Sequence, residues 1–168
     1  MVSETLKIVD DEAVDIGVKK KKREEVAKHL AGFLATSYML YMKTLYYHWN
    51  VTGPHFHSLH ETFEEQYTDL HAAGDILAER VRALGHFTPG TFKEYIKLSA
   101  IDEDDTLPGS ADKMVENLLH DNEACSKEAR SVLKVAEEAG DEVTADMMVE
   151  RMAQHDEAAW MLRATLDK

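Results

Sequence analysis

The sequence predicts an all-α protein built on four long helices, with a short fifth helix in the connection between the second and the third. Three observations carry this reading. Apolar side chains recur at three- and four-residue intervals over four long runs, the period of one helical face. Only 3 prolines and 8 glycines punctuate the 168 residues, which leaves room for few turns. No stretch alternates apolar and polar side chains as a half-buried strand would.

Residues 1–18 are polar and mixed, without an apolar period, and Lys19-Lys20-Lys21-Lys22-Arg23 follows as a compact basic block. Residues 1–23 are therefore expected to form a flexible tail, and residues 24–168 the folded domain. The first helix is marked by Val26, Leu30, Phe33, Leu34, Ser37, Tyr41, Thr44 and Leu45, and reaches about Tyr47 before Asn50-Val51-Thr52-Gly53-Pro54 breaks it. The second carries Leu59, Phe63, Tyr67, Leu70, Leu77 and Leu84 and stops near Gly85. A long crossover, 86–109, holds Pro89, Pro108 and the acidic run 102–105; inside it Thr91-Phe92-Lys93-Glu94 has capping-box form, which predicts a short helix over about 92–98. The third long helix runs from about Ser110 to Ala139 and ends at Gly140, a natural C′ residue. The fourth starts at Asp141, a good N-cap, and continues past Trp160. Four long helices with two short connections and one long middle crossover describe a ferritin-like bundle.

Composition narrows the function. The chain carries 32 Asp plus Glu against 19 Lys plus Arg, for a net charge of −13. This excludes a globally basic nucleic-acid binder and favours a protein that attracts cations. The lone cysteine, Cys125, excludes an intrachain disulfide framework and a multi-cysteine zinc site, and points to a reducing, cytoplasmic compartment. No run reaches the roughly 18 apolar residues of a spanning helix. The acidic N-terminus, without an apolar core, is not expected to act as a secretory signal.

The obvious bundle chemistry is a di-iron centre inside one chain, built from Glu-x-x-His motifs. No histidine here has Glu three residues before it, so that centre is not expected. The second helix offers His60, Glu64, Asp75 and Glu79 instead, all within a stripe of about 100° on the helical wheel. His60 and Glu79 stand about 28 Å apart along the axis at 1.5 Å per residue, too far to share an ion within one chain. However, the midpoint of 60 and 79 coincides with that of 64 and 75. An antiparallel copy of the helix, crossing on a twofold axis between Asp69 and Leu70, would set His60 opposite Glu79 and Glu64 opposite Asp75 at both ends of the contact. One imidazole and three carboxylates suit Fe(II) or Mn(II) more than copper, and His48 is placed to add a second imidazole. The alternative is that these acids are only the solvated face of a helix.

His48-Trp49-Asn50-Val51-Thr52-Gly53, followed after five residues by Leu59-His60 and then Glu64, forms one long motif; Asp75-Ile76-Leu77-Ala78-Glu79-Arg80 with Leu84-Gly85 forms another. Together they resemble the signatures of the Dps family, the miniferritins named as DNA-binding proteins from starved cells. The chain departs from the family pattern at Gly74, where a larger apolar residue is usual, after Gly85, and at Glu64, a position often held by Asp. The resemblance implies a hollow homo-dodecamer whose ferroxidase centres lie at twofold interfaces. It implies His48, His60 and Glu64 from one chain, and Asp75 and Glu79 from its partner. The implied reaction oxidises Fe(II), preferably with hydrogen peroxide, and stores ferric mineral in the cavity, which protects DNA from oxidative damage. Trp49, beside a ligand, is implied as an electron donor, with interface packing as its other reading.

Asp141, Asp146 and Glu150 match, by the same resemblance, acids that line a threefold pore for iron; acids at a helix start also simply stabilise its dipole. The basic block offers a grip on phosphate. Against it, a twelve-chain assembly of subunits at −13 repels DNA, so DNA binding is not favoured. The rival reading is a nucleoid-compacting protein whose iron site is secondary. His55, His57 and His71 receive no role.

Overall fold

A computed structural model describes residues 13–166, and its five elements are all helices: α1 (Lys20–Asn50), α2 (Phe56–Ala83), α3 (Phe92–Leu98), α4 (Ala111–Ala139) and α5 (Glu142–Leu166). α1 packs along α2, α4 along α5, and α1 also lies on α4 to close the bundle, with α3 resting on α1. Leu30, Phe33, Leu34 and Leu40 of α1 meet Phe63 and Leu77 of α2, Leu118 of α4, and Met148 and Leu162 of α5 in one continuous core. The seam between α2 and α5 is polar: Arg151 reaches Asp69 through both guanidinium nitrogens, at 3.1 and 2.7 Å.

Local chemistry sets the boundaries. Thr91 Oγ1 accepts from Glu94 N while Glu94 Oε2 accepts from Thr91 N, the reciprocal pair that the sequence promised for α3. Ser110 Oγ accepts from Lys113 N to cap α4. Gly140, at φ 70°, ends α4 in the left-handed conformation that a side chain would oppose. The crossover between α3 and α4 is pinned to the bundle by Asp104, which accepts from Tyr47 Oη and Asn117 Nδ2, with Lys43 at 3.8 Å.

The first helix differs from expectation at both ends. It begins at Lys20, so the basic block is its opening turn and not the end of a tail. Arg23 is buried and donates to the Val18 carbonyl at 2.8 Å, which ties the segment just before α1 to the helix. Residues 1–12 of the proposed tail lie outside the described residues. At its other end α1 runs three residues past Tyr47, placing His48 and Trp49 inside its last turn. Among the described residues, no helix is long and apolar enough to cross a membrane.

Candidate metal centre

The centre forms where α1 ends and α2 begins. Gly53, at φ 109°, lets five residues reverse the chain between them, so the last turn of α1 lies against the first turns of α2. His48 and His60 then face each other across this corner. His48 Nδ1–H donates to the His60 carbonyl at 2.8 Å, and His60 Nδ1–H donates to the His48 carbonyl at 2.9 Å. A carbonyl only accepts, so Nδ1 carries a proton in each ring and Nε2 is the nitrogen left to face a metal. The rings stack with centroids 3.7 Å apart and planes inclined by 18°. Backbone carbonyls bonded to the far nitrogen are the outer-shell support that metal-binding imidazoles use.

Glu64, one turn after His60, completes the group: ligand atoms of His48, His60 and Glu64 lie within 4.8 Å of one another. Among the described residues it is the one cluster of His, Cys, Asp or Glu close enough to hold an ion. Burial grades outward, from buried His48 through half-buried His60 to exposed Glu64, so the ligands open onto a surface. Two imidazoles and a carboxylate are a borderline-to-hard donor set that fits iron. Asp75 and Glu79 are not brought to this cluster; they are exposed farther along α2. The structure thus gathers three of the five proposed ligands within one chain.

Two aromatic neighbours of the centre are residues that sequence reasoning took only as core or passed over. Tyr67 stands edge-on to His48 at 5.1 Å, and Phe56 lies 5.1 Å from His60. Tyr67 falls three residues after Glu64, on the ligand face of α2, and that spacing was the available signal. Desolvation, then the negative charge of Glu64 and the neighbouring Tyr41, push the Tyr67 phenol above its ordinary range, so it stays protonated. Trp49 is 62% exposed beside the centre.

The three acids assigned to a pore do not act alike. Asp141 is the N-cap of α5 that the sequence predicted: it is buried in the single chain, and its carboxylate accepts from Thr144 N, Thr144 Oγ1 and Arg80 Nη2. Its oxygens serve the α5 cap and an ion pair, a structural task that Asp146 and Glu150 do not share. Asp146 and Glu150 are exposed, one turn apart on α5. Cys125 is buried in the core, with its thiol pushed far up by burial, and is inert.

A long-helix bundle with a short crossover helix and an imidazole–carboxylate cluster at a helix corner defines a ferritin-like protein, and the ferritin-like domain family matches residues 27–168. Within it, the chain belongs to the Dps family. A protein of Brevibacillus brevis named DNA protection during starvation protein is 37% identical over 150 residues, 89% of this chain and 100% of that one. The Dps protein from Vibrio cholerae O1, described as a member of a broad superfamily of ferritin-like diiron-carboxylate proteins, superposes with a TM-score of 0.87 at 33% identity, covering 92% of this chain and 98% of that chain. An uncharacterised low temperature-induced protein of Nostoc sp. is 39% identical over 155 residues, 92% of this chain and 87% of that one.

Proposed function

We propose that the protein oxidises Fe(II) with hydrogen peroxide at centres shared between two subunits, stores the ferric product inside a hollow dodecamer, and so protects DNA from oxidative damage in the cytoplasm. The observation that carries this reading is the crossed His48–His60 pair with Glu64 in reach, on a helix that repeats acids at the mirror positions 75 and 79. Asp75 and Glu79 of a twofold partner would face Glu64 and His60 and complete a set of two imidazoles and three carboxylates. That negative set holds Fe(II) and favours Fe(III) more strongly as positive charge develops.

Each residue has a defined task. His48 and His60 present lone pairs without rotating, because the reciprocal bonds lock both rings. Glu64, Asp75 and Glu79 balance the charge of the iron substrate. Peroxide takes one electron from each of two Fe(II) ions and two protons, and leaves as two waters, so no hydroxyl radical is released. Asp146 and Glu150 draw cations toward a pore, and Trp49 stands ready to reduce stray oxidant.

The names of the relatives support DNA protection, and the diiron-carboxylate description of the Vibrio cholerae protein supports the iron chemistry. The rival, DNA compaction, is weakened by the fate of the basic block: Lys22 pairs with Glu25 at 3.1 Å and Arg23 is buried. The deciding experiment adds peroxide to anaerobically bound Fe(II) in the assembled protein. Two irons oxidised per peroxide, in a particle of twelve subunits, is the expected result. A particle that oxidises no iron, yet retards DNA in a salt-dependent gel shift, would favour the rival.

A further inference from the structure

Gly74, one of the departures from the family pattern, has a structural purpose. A Cβ built there would lie 3.0 Å from Cε2 and Cζ of Tyr38, so glycine makes room for that ring. Tyr38 in turn joins a line of aromatic contacts. It stacks on Tyr95 of α3 with centroids 5.0 Å apart and planes 7° apart, and stands edge-on to Tyr41 at 6.2 Å. Tyr41 stands edge-on to Tyr67 at 6.2 Å, and Tyr67 edge-on to the ligand His48 at 5.1 Å. The line runs unbroken from the centre through α2 and α1 to α3.

The Tyr95 hydroxyl donates to the Pro89 carbonyl at 3.2 Å, but packing alone does not require phenols at Tyr38, Tyr41 and Tyr67. A phenylalanine ring fills the same space without a hydroxyl to desolvate. Four phenols in succession instead supply four one-electron donors in ring contact, beginning at an imidazole that holds the iron substrate. Trp49, by contrast, makes no ring contact with the line among the described residues.

We propose that Tyr67, Tyr41, Tyr38 and Tyr95 form an electron relay that serves the centre when peroxide arrives and only one Fe(II) is bound; the proposal rests on the iron-oxidising reading above. Peroxide needs two electrons and two protons to become two waters. A single Fe(II) gives one electron and becomes Fe(III). Tyr67 gives the second electron with its phenolic proton, and solvent gives the other proton. Without that donor, the one-electron reaction splits peroxide into hydroxide and a hydroxyl radical. The neutral radical left on Tyr67 takes an electron from Tyr41 through the ring contact and a proton from solvent, while Tyr41 loses its phenolic proton to solvent; the vacancy passes by the same exchange to Tyr38 and Tyr95. Gly74 is a positioning residue in this scheme, since it admits Tyr38 to the line.

The test uses the assembled protein with one Fe(II) per centre, mixed anaerobically with peroxide and frozen for electron paramagnetic resonance. The parent should give a tyrosyl radical as ferric iron forms. Tyr67→Phe keeps the ring and should abolish that radical while raising hydroxyl-radical spin adducts. Tyr41→Phe should keep the Tyr67 radical but remove oxidation products from the peptides carrying Tyr38 and Tyr95, read by mass spectrometry, and leave those at Tyr46 unchanged. Ferric iron with a parental tyrosyl signal in Tyr67→Phe, or a tryptophanyl signal in place of it, overturns the relay and spares the iron-oxidising reading. No ferric iron in the parent overturns both.

Discussion

Arg80 fastens the end of α2 to the start of α5 through Asp141. Its Nη2 donates to Asp141 Oδ1 at 2.6 Å, and its Nε donates to Thr144 Oγ1 at 3.0 Å. The preceding residue is Glu79, so a ligand proposed for the partner's centre sits beside the anchor that holds the α2–α5 seam. Asp141→Ala removes the α5 cap and leaves Arg80 without its carboxylate. A capping loss of about 1 kcal/mol and the breaking of a largely buried pair combine to an expected destabilisation of about 3 kcal/mol. Denaturant unfolding measures it. A change below about 0.5 kcal/mol, the ordinary range of a surface substitution, would return Asp141 to the exposed acids.

His60→Ala and Glu79→Ala should each cripple iron oxidation by more than the roughly 10–100-fold typical of losing an outer-shell partner. Mixed subunits should recover part of the rate. In a hybrid contact one end holds both mutations, and the other end pairs an intact His60 with an intact Glu79. Hybrids verified by mass that show no recovery would refute ligand sharing across a twofold.

Gly74 gives a packing prediction that needs no iron. Gly74→Val forces branched atoms onto the Tyr38 ring, where a single Cβ already comes to 3.0 Å. Overpacking of this kind costs about 1–3 kcal/mol, and the near-ultraviolet circular dichroism of the stacked Tyr38–Tyr95 pair should change with it. An unaltered spectrum at parental stability would mean that the ring has free space elsewhere.

Most of the fold was legible in the sequence because helical periodicity, a capping box and a C′ glycine are local signals. The shared midpoint on α2 is likewise read from residue numbers alone, and the twofold contact it suggests is what the hybrid experiment tests. What escaped depends on which helices meet. Asp141 was legible as an N-cap, but its ion pair with Arg80, 61 residues away, was not. The Tyr38–Tyr95 stack joins residues that no helical period connects, and Gly74 is intelligible only once Tyr38 is seen against it. The α1 boundary shifted because Arg23 turns inward to a carbonyl, a role that a basic block does not advertise.

His155 makes stability depend on pH. It is 2% exposed, and its Nδ1–H donates to Asn122 Oδ1 at 2.9 Å. Burial, then the charge of Arg151, push its pKa down to about 3 from an ordinary 6.5, against an opposing pull from Asp69. Between those values the unfolded imidazole holds a proton and the folded one does not. Stability from this group is therefore complete above 6.5 and is lost as pH falls through that window, with a slope of at most about 1.4 kcal/mol per pH unit. His155→Gln keeps a donor for Asn122 without a titrating ring. Urea unfolding at about pH 7 and about pH 5.5, a range above most carboxylate titration, should show a smaller loss in the variant than in the parent. Equal losses would mean that His155 takes up its proton in the folded state.

The exposed pair on α5 separates iron access from iron chemistry. Asp146 and Glu150 are one turn apart, free of the buried bonds that occupy Asp141, and belong to the segment that resembles a pore lining. Acids in a narrow channel raise the local cation concentration through a field that salt screens, with a Debye length of about 8 Å at physiological ionic strength. Changing Asp146 to Asn and Glu150 to Gln removes the charge at nearly constant volume, so the fold and assembly should persist. Iron uptake should slow and lose most of its dependence on ionic strength, because the screened attraction is gone. Iron already bound at the centre should be oxidised at the parental rate, since His48, His60, Glu64, Asp75 and Glu79 are untouched. Glu79→Gln should do the opposite, leaving uptake salt-sensitive and slowing the oxidation itself. Stopped-flow absorbance across a salt series distinguishes the two. If the double variant takes up iron at the parental rate and with the parental salt dependence, Asp146 and Glu150 do no more than solvate a helix.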